Sequence, residues 1–268
     1  MRRILYSLIT AGLVLFMAGF MLKSVGLAKL LGDVAAEGQD GIHLTAPTVD
    51  GLTLHAWLAL PAKPSADPAA RPGLALLLPM LSTTHQSFEP FTRRLHELGY
   101  ATLAFDLRGH GLSNRIKGTT FSYASMDDAE FAKLPADVER LFADFKLQHP
   151  QQFNYDDVVI IGASIGANAA GLLLDRSWVS RAVLLSPGRD YHSLTPESVM
   201  TAVGATTAKP IYVAVTADDT YSAESSQWLF DRYHGPKVFK KYPGQAHGTD
   251  ILHSVKNADG ELLDWLKK

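Results

Sequence analysis

The chain has 268 residues, of which 47% are hydrophobic and 19% charged, enough to bury one large core. Its formal net charge of −2 excludes a basic footprint for nucleic acid, and the lack of any cysteine excludes disulfides and thiol catalysis. No P-loop, HExxH helix or Cys–His metal spacing occurs, so no cofactor and no metal are expected. At the N-terminus Arg2 and Arg3 precede an apolar run from Ile4 to Leu22, ended by Lys23. A run of about 19 residues reaches the minimum for a bilayer span. The expectation is an N-terminal hydrophobic helix, with residues 1–32 a membrane anchor or signal segment and residues 33–268 the folded domain. By the positive-inside rule the arginines stay cytoplasmic, so the chain is read as anchored in the inner membrane with its domain exported, periplasmic or extracellular. Secretion after signal cleavage is the alternative.

Two alternating segments, Ile42 to Thr48 and Leu52 to Pro61, flank Asp50-Gly51 and predict an opening antiparallel hairpin. Pro61 to Pro72 reads as a surface loop. Gly73 to Leu78 is an apolar strand, followed by Pro79-Met80-Leu81-Ser82-Thr83-Thr84. Ser82, Thr83 and His85 are pocket candidates there, or equally turn and capping residues before Phe88. A Leu-rich helix and the strand Ala101 to Phe105 come next, then the loop Asp106-Leu107-Arg108-Gly109-His110-Gly111-Leu112-Ser113. Asp106 reads as a structural hydrogen-bonding group for the turn from Arg108 to Gly111. Val138, Leu141, Phe142 and Phe145 recur at helical spacing and predict one apolar face against a sheet.

Gly162-Ala163-Ser164-Ile165-Gly166 is the most informative segment. It fits G-x-S-x-G, with the apolar strand Val158 to Ile161 before it and the Ala/Leu-rich stretch from Ala167 after it. A sharp strand-to-helix turn of this kind lifts a serine hydroxyl out of a sheet, which makes Ser164 a candidate nucleophile. Serine needs a base, and the base needs an orienting acid. Asp218 and Asp219 follow the apolar strand Ile211 to Thr216, and His247 follows the strand Lys237 to Tyr242. Each candidate lies just past a strand, where an open parallel sheet places its ligands. Only about two dozen residues, 187 to 209, separate the strand Ala182 to Ser186 from the next. One short helix near Glu197 to Val203 fits there, so the site is expected to be open.

On these motifs the chain resembles the α/β-hydrolase superfamily over residues 42 to 268, the loop from Asp106 to Ser113 included. The resemblance implies an α/β fold: a mostly parallel eight-stranded sheet with helices on both faces, preceded here by the N-terminal helix. It implies a serine hydrolase of the esterase or aminopeptidase-like branch. Relatives place the acid at a spacing that, counted from Pro210, favours Asp219 over Asp218. They usually carry His-Gly after the third strand, where this chain has Pro79-Met80. By that alignment the backbone N–H groups of Leu81 and Ile165 are the expected oxyanion donors, and Met80 in place of glycine restricts the loop. The expected function is cleavage of a small-molecule carboxylic ester through an acyl-enzyme, with Ser164, Asp219 and His247 as triad. A serine aminopeptidase, amidase or thioesterase would use the same triad, and a non-catalytic hydrolase-like binding protein is the alternative of another class. The implied partners are an ester substrate and the membrane, with no nucleic acid; the sequence leaves oligomeric state open.

Overall fold

The computed structural model describes residues 41–61, 70–206 and 209–268. Eight strands form the main sheet in the order β1-β2-β4-β3-β7-β8-β9-β10. They are β1 (Ile42–Pro47), β2 (Thr53–Ala59), β3 (Leu74–Leu78), β4 (Ala101–Asp106), β7 (Val158–Ala163), β8 (Arg181–Leu185), β9 (Ile211–Thr216) and β10 (Lys237–Tyr242). A separate two-stranded ribbon joins β5 (Arg115–Ile116) to β6 (Thr119–Thr120). The pairs β1–β2 and β2–β4 are antiparallel, and every other neighbour in the main sheet is parallel. The surface loop expected from Pro61 to Pro72 falls largely outside the described residues.

The central strands are buried on both faces, which is why they read as unbroken apolar runs rather than alternating ones. Alternate residues still go to opposite layers. Leu74, Leu76, Leu78, Val158 and Ile160 join one core, where Val138, Leu141, Phe142 and Phe145 of α3 (Leu134–Gln148) also lie. Ala75, Leu77, Val159 and Ile161 join the other, with Phe91 and Leu95 of α1 (Phe91–Glu97) and Leu262, Leu263 and Leu266 of α8 (Ala258–Leu266). Each fully buried large aliphatic side chain is worth roughly 1.5–3 kcal/mol, so the sheet is held from both sides.

Register then decides which loops meet. Leu78 pairs with Gly162, Ala163 with Leu185, and Leu185 with Ala214. The turn after β3, the turn after β7 and the loops after β8 and β9 therefore leave the sheet level with one another, at its carboxyl edge.

The expected N-terminal hydrophobic helix requires correction. Among the described residues no helix is long and apolar enough to cross a membrane. The run from Ile4 to Leu22, and with it the anchor or signal segment at residues 1–32, lies outside the described residues. The described residues form an eight-stranded α/β sheet flanked by helices, none of which is such a helix. The membrane as a partner, the signal peptide, and the inner-membrane, exported or secreted locations rested on that helix alone and are withdrawn with it.

Candidate active site

Ser164 sits between β7 and α4 (Ile165–Leu172) with φ 52° and ψ −117°. For a non-glycine residue that conformation costs of order 1–3 kcal/mol and persists only where the surroundings enforce it. Both glycines of the pentapeptide are part of the enforcement. A Cβ on Gly162 would lie 2.6 Å from the Ala167 nitrogen, and one on Gly166 would lie 2.6 Å from the Pro79 carbonyl oxygen. Helix, strand and the turn after β3 therefore touch through backbone, and Ser164, though 7% exposed, stands at their junction.

His247 and Asp219 are brought together from the loops after β10 and β9. His247 Nδ1 lies 2.6 Å from Asp219 Oδ2. The adjacent acid is elsewhere: Asp218 is exposed and its N–H donates to the Gly244 carbonyl at 2.9 Å. The His247 loop is pinned from three sides. Thr216 Oγ1 donates to the Ala246 carbonyl at 2.7 Å, the Gly248 N–H donates to Ser186 Oγ at 3.0 Å, and Thr249 Oγ1 lies 3.8 Å from Met80 Sδ. A Cβ on Gly248 would meet Ala163 Cβ at 3.4 Å, so the residue after His247 packs beside the residue before Ser164.

Leu81, the expected oxyanion donor of the β3 loop, lies in the turn after Pro79. Thr83 closes that turn, its N–H and Oγ1 donating to the Met80 carbonyl at 3.3 and 2.9 Å. Ser82 takes φ 63°. Ile165, the other expected donor, is the first residue of α4, whose neighbour Gly166 abuts the same turn. The Met80 thioether packs beside Gly248, where a Cβ would lie 2.8 Å from its Sδ.

The buried Asp106 makes the structural contact expected with the turn after β4 and adds a second one to His85. Its Oδ1 accepts from the His85 backbone N–H at 3.0 Å and lies 2.8 Å from His85 Nδ1, while Oδ2 accepts from the Leu112 N–H at 2.7 Å. It holds the turn after β4, where a Cβ on Gly111 would strike its Oδ2, and ties that turn to the loop after β3. The hydrogen bonds from His85 and Leu112 outweigh burial and hold its carboxyl below the usual range. Arg108 is fully buried and anchors Asp137 (2.7 Å), Asp50 (2.8 Å) and Glu130 (3.1 Å). Among the described residues no cluster of three or more His, Asp or Glu is arranged to hold a metal.

Four residues near the site carry no sequence motif of their own. Ser186 holds the His247 loop, as above. Asn168 fastens the loop after β8 onto α4. Tyr191 and Ser222 stand beside the candidate triad, with Ser222 Oγ 3.4 Å from His247 Nδ1.

A family model described as serine aminopeptidase, S33, matches residues 73–213, more than half of the chain. No curated protein matches the sequence. Among solved structures, the α/β hydrolase GrgF from Penicillium sp. sh18 is similar at TM-score 0.60 and 16% identity, over 84% of this chain and 97% of that one. Est1E from Butyrivibrio proteoclasticus aligns at TM-score 0.58 and 16% identity, over 84% and 98%. A thermostable carboxyl esterase from Bacillus coagulans aligns at TM-score 0.58 and 14% identity, over 86% and 97%. At these identities the likeness establishes the shared fold.

Proposed function

The chain belongs to the serine aminopeptidase S33 family, within the α/β-hydrolase superfamily, and from that premise we propose that it is a carboxylic ester hydrolase working through an acyl-enzyme on Ser164. The observation that carries this reading is the 2.6 Å contact between His247 and Asp219 on a loop pinned beside the Ser164 turn.

In the proposed reaction Asp219 accepts the hydrogen bond from His247 Nδ1–H, which leaves the Nε2 lone pair free to take the Ser164 proton. Oγ attacks the acyl carbon, and the carbonyl oxygen takes up the negative charge. The N–H groups of Leu81 and Ile165 are the proposed donors to that oxyanion, each worth roughly 2.7–4 kcal/mol in the transition state. Collapse expels the alcohol, which leaves with the proton held on His247. Water then enters, gives its proton to His247 and releases the acid, and Ser164 is restored. Residues 33–268 are proposed as one catalytic domain without a large cap. The interval 187–209 holds one helix among the described residues, α5 (Glu197–Thr206), which supports an open site for small soluble esters.

The family description favours a second reading, hydrolysis of an aminoacyl amide by the same groups. A screen over esters of graded acyl length, aminoacyl amides and acyl thioesters separates these, with Ser164→Ala as the control. Turnover of esters above amides, abolished in Ser164→Ala, is the expected result. Preferred turnover of amides would replace the ester reading with the second one.

A further inference from the structure

A path through two hydroxyls joins Ser164 to the His247–Asp219 pair. The Tyr191 hydroxyl lies 3.0 Å from Ser222 Oγ, which in turn lies 3.4 Å from His247 Nδ1. On its other side the Tyr191 hydroxyl interacts with the Ser164 side chain. Burial holds this phenol above its ordinary range, so at neutral pH it keeps its proton and has one hydrogen bond to donate.

The loop carrying Tyr191 is built to aim it. Asn168, fully buried one turn beyond Ser164, donates from Nδ2 to the carbonyls of Gly188 (3.0 Å) and Leu194 (2.7 Å). Its Oδ1 accepts from the Gly188 N–H at 2.9 Å. Tyr191 and Leu194 pair across the loop as an isolated antiparallel bridge. Gly188 makes room for the ring, since a Cβ there would lie 2.7 Å from Tyr191 Cε2. The Tyr221 ring packs at 5.5 Å, and its hydroxyl donates to the Asp190 carbonyl at 2.7 Å. His192 and Ser193 take φ of 51° and 66°, a strain that two non-glycine residues keep only in over-determined surroundings.

We propose that Tyr191 is a further catalytic residue, donating a hydrogen bond to Ser164 Oγ while that oxygen carries negative charge. The inference rests on the reading of Ser164 as nucleophile. In this arrangement the Ser222 hydroxyl donates to the Tyr191 oxygen, Tyr191 donates to Oγ, and Ser164 passes its own proton to His247. The contact acts twice: as Oγ attacks, and again in deacylation, when Oγ is the atom expelled. No bond to Tyr191 forms or breaks.

The test compares the full-length chain with its Tyr191→Phe variant, which keeps the ring against Gly188 and Tyr221 and removes only the hydroxyl. Stopped-flow measurement with p-nitrophenyl butyrate separates acylation from deacylation. Both rate constants should fall roughly 10- to 100-fold, the worth of one hydrogen bond to a charged oxygen, at an unchanged melting temperature. Unchanged rates overturn the proposal. So does a loss confined to acylation that grows with the pKa of the leaving alcohol, because it would put the hydroxyl on the leaving group. If Tyr191→Phe does not fold, Ser222→Ala removes the donor to the Tyr191 oxygen and should slow the same two steps by a smaller factor. Undiminished rates there also overturn the proposal. Labelling by a fluorophosphonate separates the two levels of the argument. An unlabelled Ser164 in the wild-type chain defeats the nucleophile assignment, whereas labelled wild type with a full-rate Tyr191→Phe defeats the role of Tyr191 alone.

Discussion

At the scale of single residues, the two adjacent acids after β9 offer a sharp contrast. Asp219 is the one in contact with His247 Nδ1, while Asp218 faces solvent. Asp219→Asn should therefore cost on the order of 10⁴ in kcat on an activated ester, the scale of a misplaced tautomer, and Asp218→Asn only a few-fold. Equal losses in steady-state kinetics would remove Asp219 from the proposed triad. A second residue makes stability depend on pH. Burial pushes His96 down from 6.5 to about 4, with its Nε2 lying 3.0 Å from Thr102 Oγ1. Between those two values the unfolded chain binds more protons than the folded one, so this contribution is present above pH 6.5 and lost as pH falls toward 4. The expected loss, allowing for partial solvent contact, is about 1–2 kcal/mol. Urea unfolding at pH 7 and pH 4.5 measures it, and His96→Gln should flatten the difference. A difference left unchanged by that substitution would assign the effect to other groups.

At the scale of elements, α4 is both the exit from the Ser164 turn and the anchor of the loop after β8. Asn168→Ala removes three hydrogen bonds and strands the buried Gly188 N–H, so a loss of about 2–4 kcal/mol is expected in urea titration. Ester hydrolysis should fall with it, because Tyr191 loses its support; stability and rate both at the wild-type level would show that the loop holds itself. The same elements show what was legible in the amino-acid sequence. β3, β7 and α3 announce themselves through unbroken apolar runs or a helical period; Ser164 and Asp219 follow apolar strands, and His247 follows the more polar β10. Tyr191, Ser222, Asn168 and Ser186 follow no such rule. Their partners lie 20 to 62 residues away in the chain and are chosen by strand register, which a single sequence does not print. For the same reason the sequence showed Asp106 as a turn-holding group but not its second partner, His85, which comes from the loop after the neighbouring strand. Choosing between Asp218 and Asp219 needed the spacing found in relatives, since both lie at the end of β9.

At the scale of the whole molecule, six parallel strands of one eight-stranded sheet deliver their loops to a single edge, and the candidate site is the place where those loops meet. On the proposed reading of a domain without a large cap, rates on short-chain esters should rise smoothly with concentration. A jump when the substrate passes its solubility limit would contradict the open site. The central claim is that this edge holds one activated serine. Its most direct test is to treat the chain with a fluorophosphonate and map the adduct by mass spectrometry. The account predicts stoichiometric labelling on the peptide containing Ser164, no labelling of Ser164→Ala, and loss of ester hydrolysis in step with the adduct. An unlabelled protein, or an adduct on another serine with Ser164→Ala still active, would contradict it.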